Sequence, residues 1–257
     1  MGAVDHITKP FLHQLPLKRI EIYLYFESQK KELQLYSSGL EEMVEGKRKP
    51  GFELQNATLK TVAELVESQD NITGEHTERT QNYLRLLVNA LMAHDVYPRE
   101  LSPWDVDLFV MSSQLHDVGK ISIKDSILMK PSKLTEQEFE EMKKHTVFGV
   151  NIIEKIKESA KENAFLKYAK ILAETHHEKW DGTGYPLGLK GEEIPLEGRL
   201  MAIVDVYDAL TNDRPYKKAV THEKALEIIK SGMGTHFDPR LGEAFLLREK
   251  EFLKIAQ

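Results

Sequence analysis

Between residues 76 and 205 the sequence sets imidazole and carboxylate side chains at five places. These are His76 in Thr73-Gly-Glu-His-Thr-Glu-Arg79, the pair His116-Asp117 in Ser113-Gln-Leu-His-Asp-Val-Gly-Lys120, His145, the pair His176-His177, and Asp205. Adjacent His and Asp act together only if both reach one focus, and a divalent metal ion supplies such a focus. Imidazole and carboxylate donors suit Fe, Mn, Zn, Ni or Co, with Fe or Mn the first expectation. Any one of these residues alone reads as an ordinary core or surface side chain. For all of them to be ordinary, several independent coincidences would have to hold together.

Asp205 adds a physical argument. In Arg199-Leu-Met-Ala-Ile-Val-Asp-Val-Tyr-Asp-Ala-Leu210 one helical face is Leu200, Ile203, Val204 and Tyr207, and the opposite one is Met201, Ala202 and Ala209. A helix apolar all round is a buried helix, so Asp205 is expected to be buried. An isolated carboxylate there would cost several kcal/mol or take up a proton. A metal ion removes that penalty, and so does a buried arginine. The loop Asp181-Gly-Thr-Gly-Tyr-Pro-Leu-Gly188 follows the double histidine directly. Its glycines permit close backbone approaches, and Tyr185 can stack on a base or hydrogen-bond to it. A glycine-rich loop alone is usually a turn, but this one adjoins candidate ligands, which favours contact with substrate.

The elements that must position these groups read as helices joined by loops, and no stretch alternates as a strand would. The fold class is therefore all-α. Residues 1–16 are short and irregular. From 17 onward Ile22, Phe26, Leu33, Tyr36, Leu40 and Met43 follow a four-three spacing, broken at Gln29, as a partly coiled helix would. Pro50-Gly51 should interrupt it, with a second helix from about Glu53 to Ser68. Thr135-Glu136-Gln137-Glu138 is a capping box opening a helix expected to carry His145, and His116-Asp117 is expected on an apolar helix ending near Gly119. Asp238-Pro239 reads as an N-cap followed by proline at the first helical position.

With 257 residues, 41% hydrophobic and 30% charged, the chain can bury one sizeable core. A net charge of −6 disfavours binding to a nucleic acid polymer. Without cysteine there is neither a disulfide nor a thiolate metal site, and a cytoplasmic home is the default. No apolar run approaches the roughly 18 residues of a membrane span, and no secretory signal opens the chain.

Taken together, His116-Asp117 with Gly119-Lys120, His176-His177-Glu178, Gly184-Tyr185-Pro186, and Asp205 through Asp213-Arg214-Pro215-Tyr216 resemble the HD-GYP family, from about Leu59 to the C-terminus. The resemblance implies an HD-superfamily helical bundle, a binuclear or trinuclear metal centre, and hydrolysis of a cyclic dinucleotide, cyclic di-GMP first. It implies that His76, His116, Asp117 and Asp205 hold one metal, and that Asp117 bridges to a second held by His145, His176 and His177. Lys120 and Arg214 would face substrate phosphates, Asp117 and Lys120 would be catalytic, and Gly184, Tyr185 and Pro186 would shape the pocket. Two metals roughly 3.5–4 Å apart would activate a bridging water for in-line attack on phosphorus. Some family members place a glutamate four residues before the first histidine to help hold a third metal. Here that position is Ile72, so two metals are expected; the implied products are linear pGpG and/or GMP, with a stop at the linear dinucleotide one outcome of having two metals.

Gly2-Ala-Val-Asp-His-Ile-Thr-Lys-Pro-Phe11 is similar to the end of a response-regulator receiver domain. This suggests residues 1–16 as a receiver stub, 17–58 as a helical linker and 59–257 as the catalytic domain. With no phosphoacceptor upstream, the chain is expected to ignore small phosphodonors. Residues 17–48 are expected to join two copies as a parallel homodimer. The competing readings are an HD-type hydrolase of another nucleotide, such as a hybrid cyclic dinucleotide, and a module that binds the ligand without turnover.

Overall fold

Ala164–Thr175 shows how the sequence builds this fold: Phe165, Leu166, Ala169, Leu172 and Ala173 recur at helical spacing, and all are buried. Burying each Phe or Leu of this face contributes about 1.5–3 kcal/mol. The structure is a computed structural model that describes residues 30–31, 57, 61–63, 65–66, 75–159, 164–213 and 218–256. The chain divides into two units, Met1–Gln55 and Asn56–Gln257, and every described site residue belongs to the second.

In chain order the helices are α1 (Glu75–Ala93), α2 (Pro98–Leu101), α3 (Val106–Ser112), α4 (Asp125–Leu128), α5 (Glu136–Lys143), α6 (His145–Ser159), α7 (Ala164–Thr175), α8 (Leu196–Thr211), α9 (His222–Ser231), α10 (Pro239–Leu246) and α11 (Glu249–Ala256). Short 3-10 turns cover Ser113–Leu115, Val118–Ser122 and Gly191–Glu193. Among the described residues there is no strand, only an isolated bridge between Met233 and Phe237, so the all-α expectation holds. None of the described helices is long and apolar enough to cross a membrane.

Two apolar cores organise the helices. The larger one joins Tyr83, Leu84, Leu87 and Leu91 of α1 to Leu200, Ile203, Val204 and Tyr207 of α8, with Phe245 and Phe252 of α10 and α11 closing it. Tyr83 meets Tyr207 edge-on at 5.2 Å and stacks on Phe252 at 5.2 Å. The smaller core joins Met111, Leu115 and Val118 to Ile153 of α6 and to Phe165, Leu166, Ala169 and Ala173 of α7.

The capping box at Thr135 is present, with its side chain accepting from the Glu138 amide and the Glu138 carboxylate accepting from the Thr135 amide. Asp238 caps α10, and Pro239 follows at the first turn. Two local expectations need correction. His145 does not ride on the capped helix: α5 ends at Lys143, and His145 opens α6. His116-Asp117 lies in the turn between two 3-10 segments, not on a continuous helix. Gly119 supplies the reason for that geometry, because it packs directly on the first turn of α6. A Cβ there would stand 1.9 Å from the His145 carbonyl oxygen and 2.4 Å from the Gly149 amide nitrogen.

The receiver-like stub, the four-three helix with Gln29, Pro50-Gly51, Ile72 and Arg214 lie outside the described residues. Residues 57, 61–63 and 65–66 are helical, within the helix expected from Glu53 to Ser68.

Candidate metal centre

Five elements deliver the candidate donors. The second residue of α1 is His76, the turn between the 3-10 segments carries His116 and Asp117, α6 opens with His145, the turn after α7 carries His176 and His177, and α8 carries Asp205. They converge into two groups whose donor atoms lie within 4.8 Å of one another: His76, His116 and Asp205 in one, Asp117, His145, His176 and His177 in the other. Asp117 stands between the groups. Its Oδ2 is 3.3 Å from His116 Nε2, while its Oδ1 is 3.3 Å from His145 Nε2 and 3.6 Å from His176 Nε2.

The histidines are oriented by a common device. His116, His145 and His176 each donate Nδ1–H to a backbone carbonyl three or four residues back, those of Ser113 (2.8 Å), Met142 (2.7 Å) and Leu172 (2.8 Å). A carbonyl can only accept, so Nδ1 carries a proton in each, and in the neutral ring it is Nε2 that is left bare toward the centre. His76 is held differently, with Nδ1 2.7 Å from Asp208 Oδ2.

These donors fit a divalent cation. His116 Nε2 and Asp117 Oδ1 are buried without any hydrogen-bond partner, and an orphaned buried acceptor costs about 1–3 kcal/mol. Four imidazole nitrogens around a carboxylate, with no thiolate, are the donor chemistry of a borderline metal. The protonation states of His145, His177 and Asp117 agree, while His116 must give up a proton to ligate. Burial holds His145 down to about 4, aided by the neighbouring His176 and Lys120. Burial and the charges of His176 and His145 hold His177 well below its ordinary value. Burial opposes ionisation of Asp117, but Lys120 and His116 outweigh it and keep the carboxylate ionised well below its usual range. Burial likewise opposes a charge on His116, yet the Asp117 and Asp205 carboxylates push it up to about 9.

Asp205 corrects an expectation. Its side chain is 16% exposed and faces the centre, with Oδ1 3.7 Å from His76 Nε2. The most deeply buried acid on this helix is Asp208, 2% exposed, and it is Asp208 that meets an arginine, through Arg79 Nε at 2.6 Å. The buried carboxylate expected on this helix is present, but at Asp208 rather than at Asp205. Spacing held the missing signal: an acid three residues after Asp205 lies on nearly the same helical face.

The glycine-rich loop is built against the centre. The Tyr185 amide donates to the His177 carbonyl at 3.2 Å, and the two rings lie 4.8 Å apart. Gly184 permits this closeness, since a Cβ there would stand 2.3 Å from the Lys179 amide nitrogen. The Tyr185–Pro186 peptide is cis. Glu178, named only as part of a motif, proves structural: its buried carboxylate accepts from the amides of Leu187 (2.7 Å), Gly188 (3.2 Å) and Leu189 (3.0 Å). Beyond Tyr185 stand Phe139, 45% exposed, and Lys143 of α5, whose ammonium lies 5.1 Å from the Phe139 ring and 5.5 Å from the Tyr185 ring. Lys120, expected to face substrate, lies 2.9 Å from Asp117 Oδ2.

Residues 60–241 match the HD domain family. Three curated relatives show how far the likeness extends. One, from Vibrio cholerae and named "Probable cyclic di-GMP phosphodiesterase", is 43% identical over 258 residues, covering 100% of this chain and 58% of its own. A second V. cholerae relative, named cyclic di-GMP phosphodiesterase, is 48% identical over 202 residues, covering 79% of this chain and 41% of its own. A third, named 3'3'-cGAMP-specific phosphodiesterase 2 and from the same organism, is 37% identical over 244 residues, covering 95% and 42%. The chain thus spans about half the length of the curated relatives it matches.

Proposed function

The chain belongs to the HD domain family, and on that premise we propose that it is a metal-dependent phosphodiesterase that hydrolyses a cyclic dinucleotide, cyclic di-GMP first. The observation that carries this reading is the position of Asp117, one oxygen toward His116 and the other toward His145 and His176. A carboxylate so placed serves both donor groups at once. His76, His116, Asp117 and Asp205 would hold one divalent ion; Asp117, His145, His176 and His177 would hold another. Ile72, which cannot ligate, supports two ions rather than three, with Fe or Mn preferred. Bound there, the ions supply a water of lowered pKa and neutralise phosphoryl charge.

The chain's own residues do the rest. Asp117, which Lys120 and His116 hold ionised, would be the carboxylate beside the activated water in this reading. Lys120 adds a positive charge beside the reacting phosphoryl group. The loop of Gly184, Tyr185 and Pro186 walls the centre beside His177. Burial, followed by the Asp117 and Asp205 carboxylates, raises the Tyr185 hydroxyl, so it stays a neutral donor. Arg214 completes the substrate contacts in this reading. The family match beginning at residue 60 supports a catalytic domain from about residue 59, preceded by a receiver-like stretch at 1–16 and a linker at 17–58. A homodimer through residues 17–48 belongs to the same reading, and light scattering with and without that segment tests it.

A hybrid cyclic dinucleotide is the second substrate to weigh, because a 37% identical relative is named for 3'3'-cGAMP. The decisive experiment loads the chain anaerobically with Mn²⁺ or Fe²⁺, counts metal per chain, and identifies products from cyclic di-GMP and 3'3'-cGAMP side by side. Linear pGpG or GMP with about two metals per chain is the expected result. A metal-loaded chain that cleaves neither dinucleotide overturns the function, and a fully occupied third ion overturns the metal count.

A further inference from the structure

The sequence reading gave Asp208 no role, yet it is the most fully engaged carboxylate near the centre. It is 2% exposed and its carboxylate meets four nitrogens of three side chains: His76 Nδ1 at 2.7 Å, Arg79 Nε at 2.6 Å, Arg79 Nη2 at 3.1 Å and Asn212 Nδ2 at 3.0 Å. We propose that Asp208 is the positioning residue for His76, fixing the tautomer that carries its proton on Nδ1 and aims a bare Nε2 at the metal. The proposal rests on the metal-centre reading above.

The geometry decides which of two acids does this. Asp205 and Asp208 are three residues apart on α8, and one stands at each nitrogen of the His76 ring. Asp205 Oδ1 is 3.7 Å from Nε2, too far for a hydrogen bond. Asp208 Oδ2 is 2.7 Å from Nδ1, a full charge-assisted hydrogen bond. A carboxylate accepts and does not donate, so the neutral ring must keep its proton on the Asp208 side. Nε2 is then a lone-pair donor within reach of His116 and Asp205.

His116, His145 and His176 reach the same tautomer with backbone carbonyls. His76, near the start of α1, uses a side chain from a different helix. Its orientation therefore depends on α1 and α8 staying in register, and Arg79 secures that register. Arg79 and His76 sit three residues apart on α1, facing Asp208 and Asp205 three apart on α8. A carboxylate this buried would cost several kcal/mol unpaired; Arg79 and Asn212 offset that cost and hold both oxygens still. An outer carboxylate on a metal-bound imidazole changes metal affinity by about 10–100-fold.

A purely structural ion pair between α1 and α8 would show the same contacts, so the test must read the imidazole itself. Long-range ¹H–¹⁵N spectra of the full chain, histidine-labelled, metal-free and then zinc-loaded, report which His76 nitrogen is protonated. Zn²⁺ titration against a competing chelator reports the affinity of each donor group. The wild type is expected to show the proton on Nδ1, and Asp208→Asn to lose one of two zinc affinities by about 10–100-fold while the other is held. Arg79→Gln, which leaves the Asp208–His76 bond, is expected to melt earlier with the tautomer intact. A wild-type proton on Nε2 overturns the proposal even if Asp208→Asn does not fold. So does an Asp208→Asn chain with both affinities unchanged. A wild-type chain that binds no zinc overturns the metal reading itself.

Discussion

The Lys120 ammonium lies 2.9 Å from Oδ2 of Asp117, three residues earlier in the chain, so the cation assigned to substrate charge also touches the carboxylate assigned to both donor groups. The two roles separate by mutation. Lys120→Ala should keep its metals, because Lys120 is no ligand, while kcat falls by roughly 10²-fold, the scale of one lost electrostatic contact to a transition state. Asp117→Ala should lose both metal and turnover. Elemental analysis beside steady-state kinetics checks the pair; a Lys120→Ala chain that loses its metals would reassign the lysine to holding the centre together.

Proton release should differ between the two donor groups. His116 is pushed up to about 9, so near pH 7 it carries a proton that an incoming cation must displace. Affinity at the His76, His116 and Asp205 group should therefore rise with pH by about tenfold per unit and level off as the pH passes the His116 value. His145, at about 4, and His177, lower than its ordinary value, are already neutral there, so loading beside them should release fewer protons. Calorimetry in buffers of different ionisation enthalpy counts these protons. Equal release from both sites would contradict the assignment.

Glu178→Ala removes the acceptor of three amides and should cost about 1–3 kcal/mol. The same loop carries Tyr185, so KM should rise along with the loss of stability. Thermal melts and initial rates measured on one preparation test this. A stable variant with wild-type KM would show that the loop holds its shape without Glu178.

Phe139 and Tyr185 lie 6.3 Å apart at nearly a right angle, with Lys143 close to both rings. An aromatic face beside a cation suits a nucleobase, and such stacking contributes about 1–3 kcal/mol per base. Phe139→Ala should accordingly raise KM for a cyclic dinucleotide by about tenfold with kcat held. An unchanged KM would leave Phe139 a surface side chain.

Much of the centre was legible because metal chemistry limits the residue types that can serve it, and five of the ten histidines fall at these positions. His76, His116, His145, His176, His177, Asp117 and Asp205 do come together. What failed was local geometry. Over the few residues around His116 the apolar period of an α-helix cannot be told from that of 3-10 turns, and the break at Lys144 between α5 and α6 has no proline or glycine to announce it. Burial of Asp205 was inferred from an apolar helix, but a helix lining a cavity can be buried at most positions and open at one. The orienting contacts of Asp208 and Glu178 join residues that are 132 apart in one case and 9 to 11 in the other; only the folded chain reveals them.

The seam between the two apolar cores gives the centre a mechanical meaning. His76 and Asp205 hang from the larger core, while Asp117 and His145 hang from elements of the smaller one. Ions bound across that seam would act as rivets: to open either core locally, the protein would first have to give up ligands. Metal-free chain should then exchange amide hydrogens faster on both α1 and α6, and loading should slow both together. Availability of the metal would thus set not only whether the centre can react but how long the folded halves stay fastened against unfolding and proteolysis.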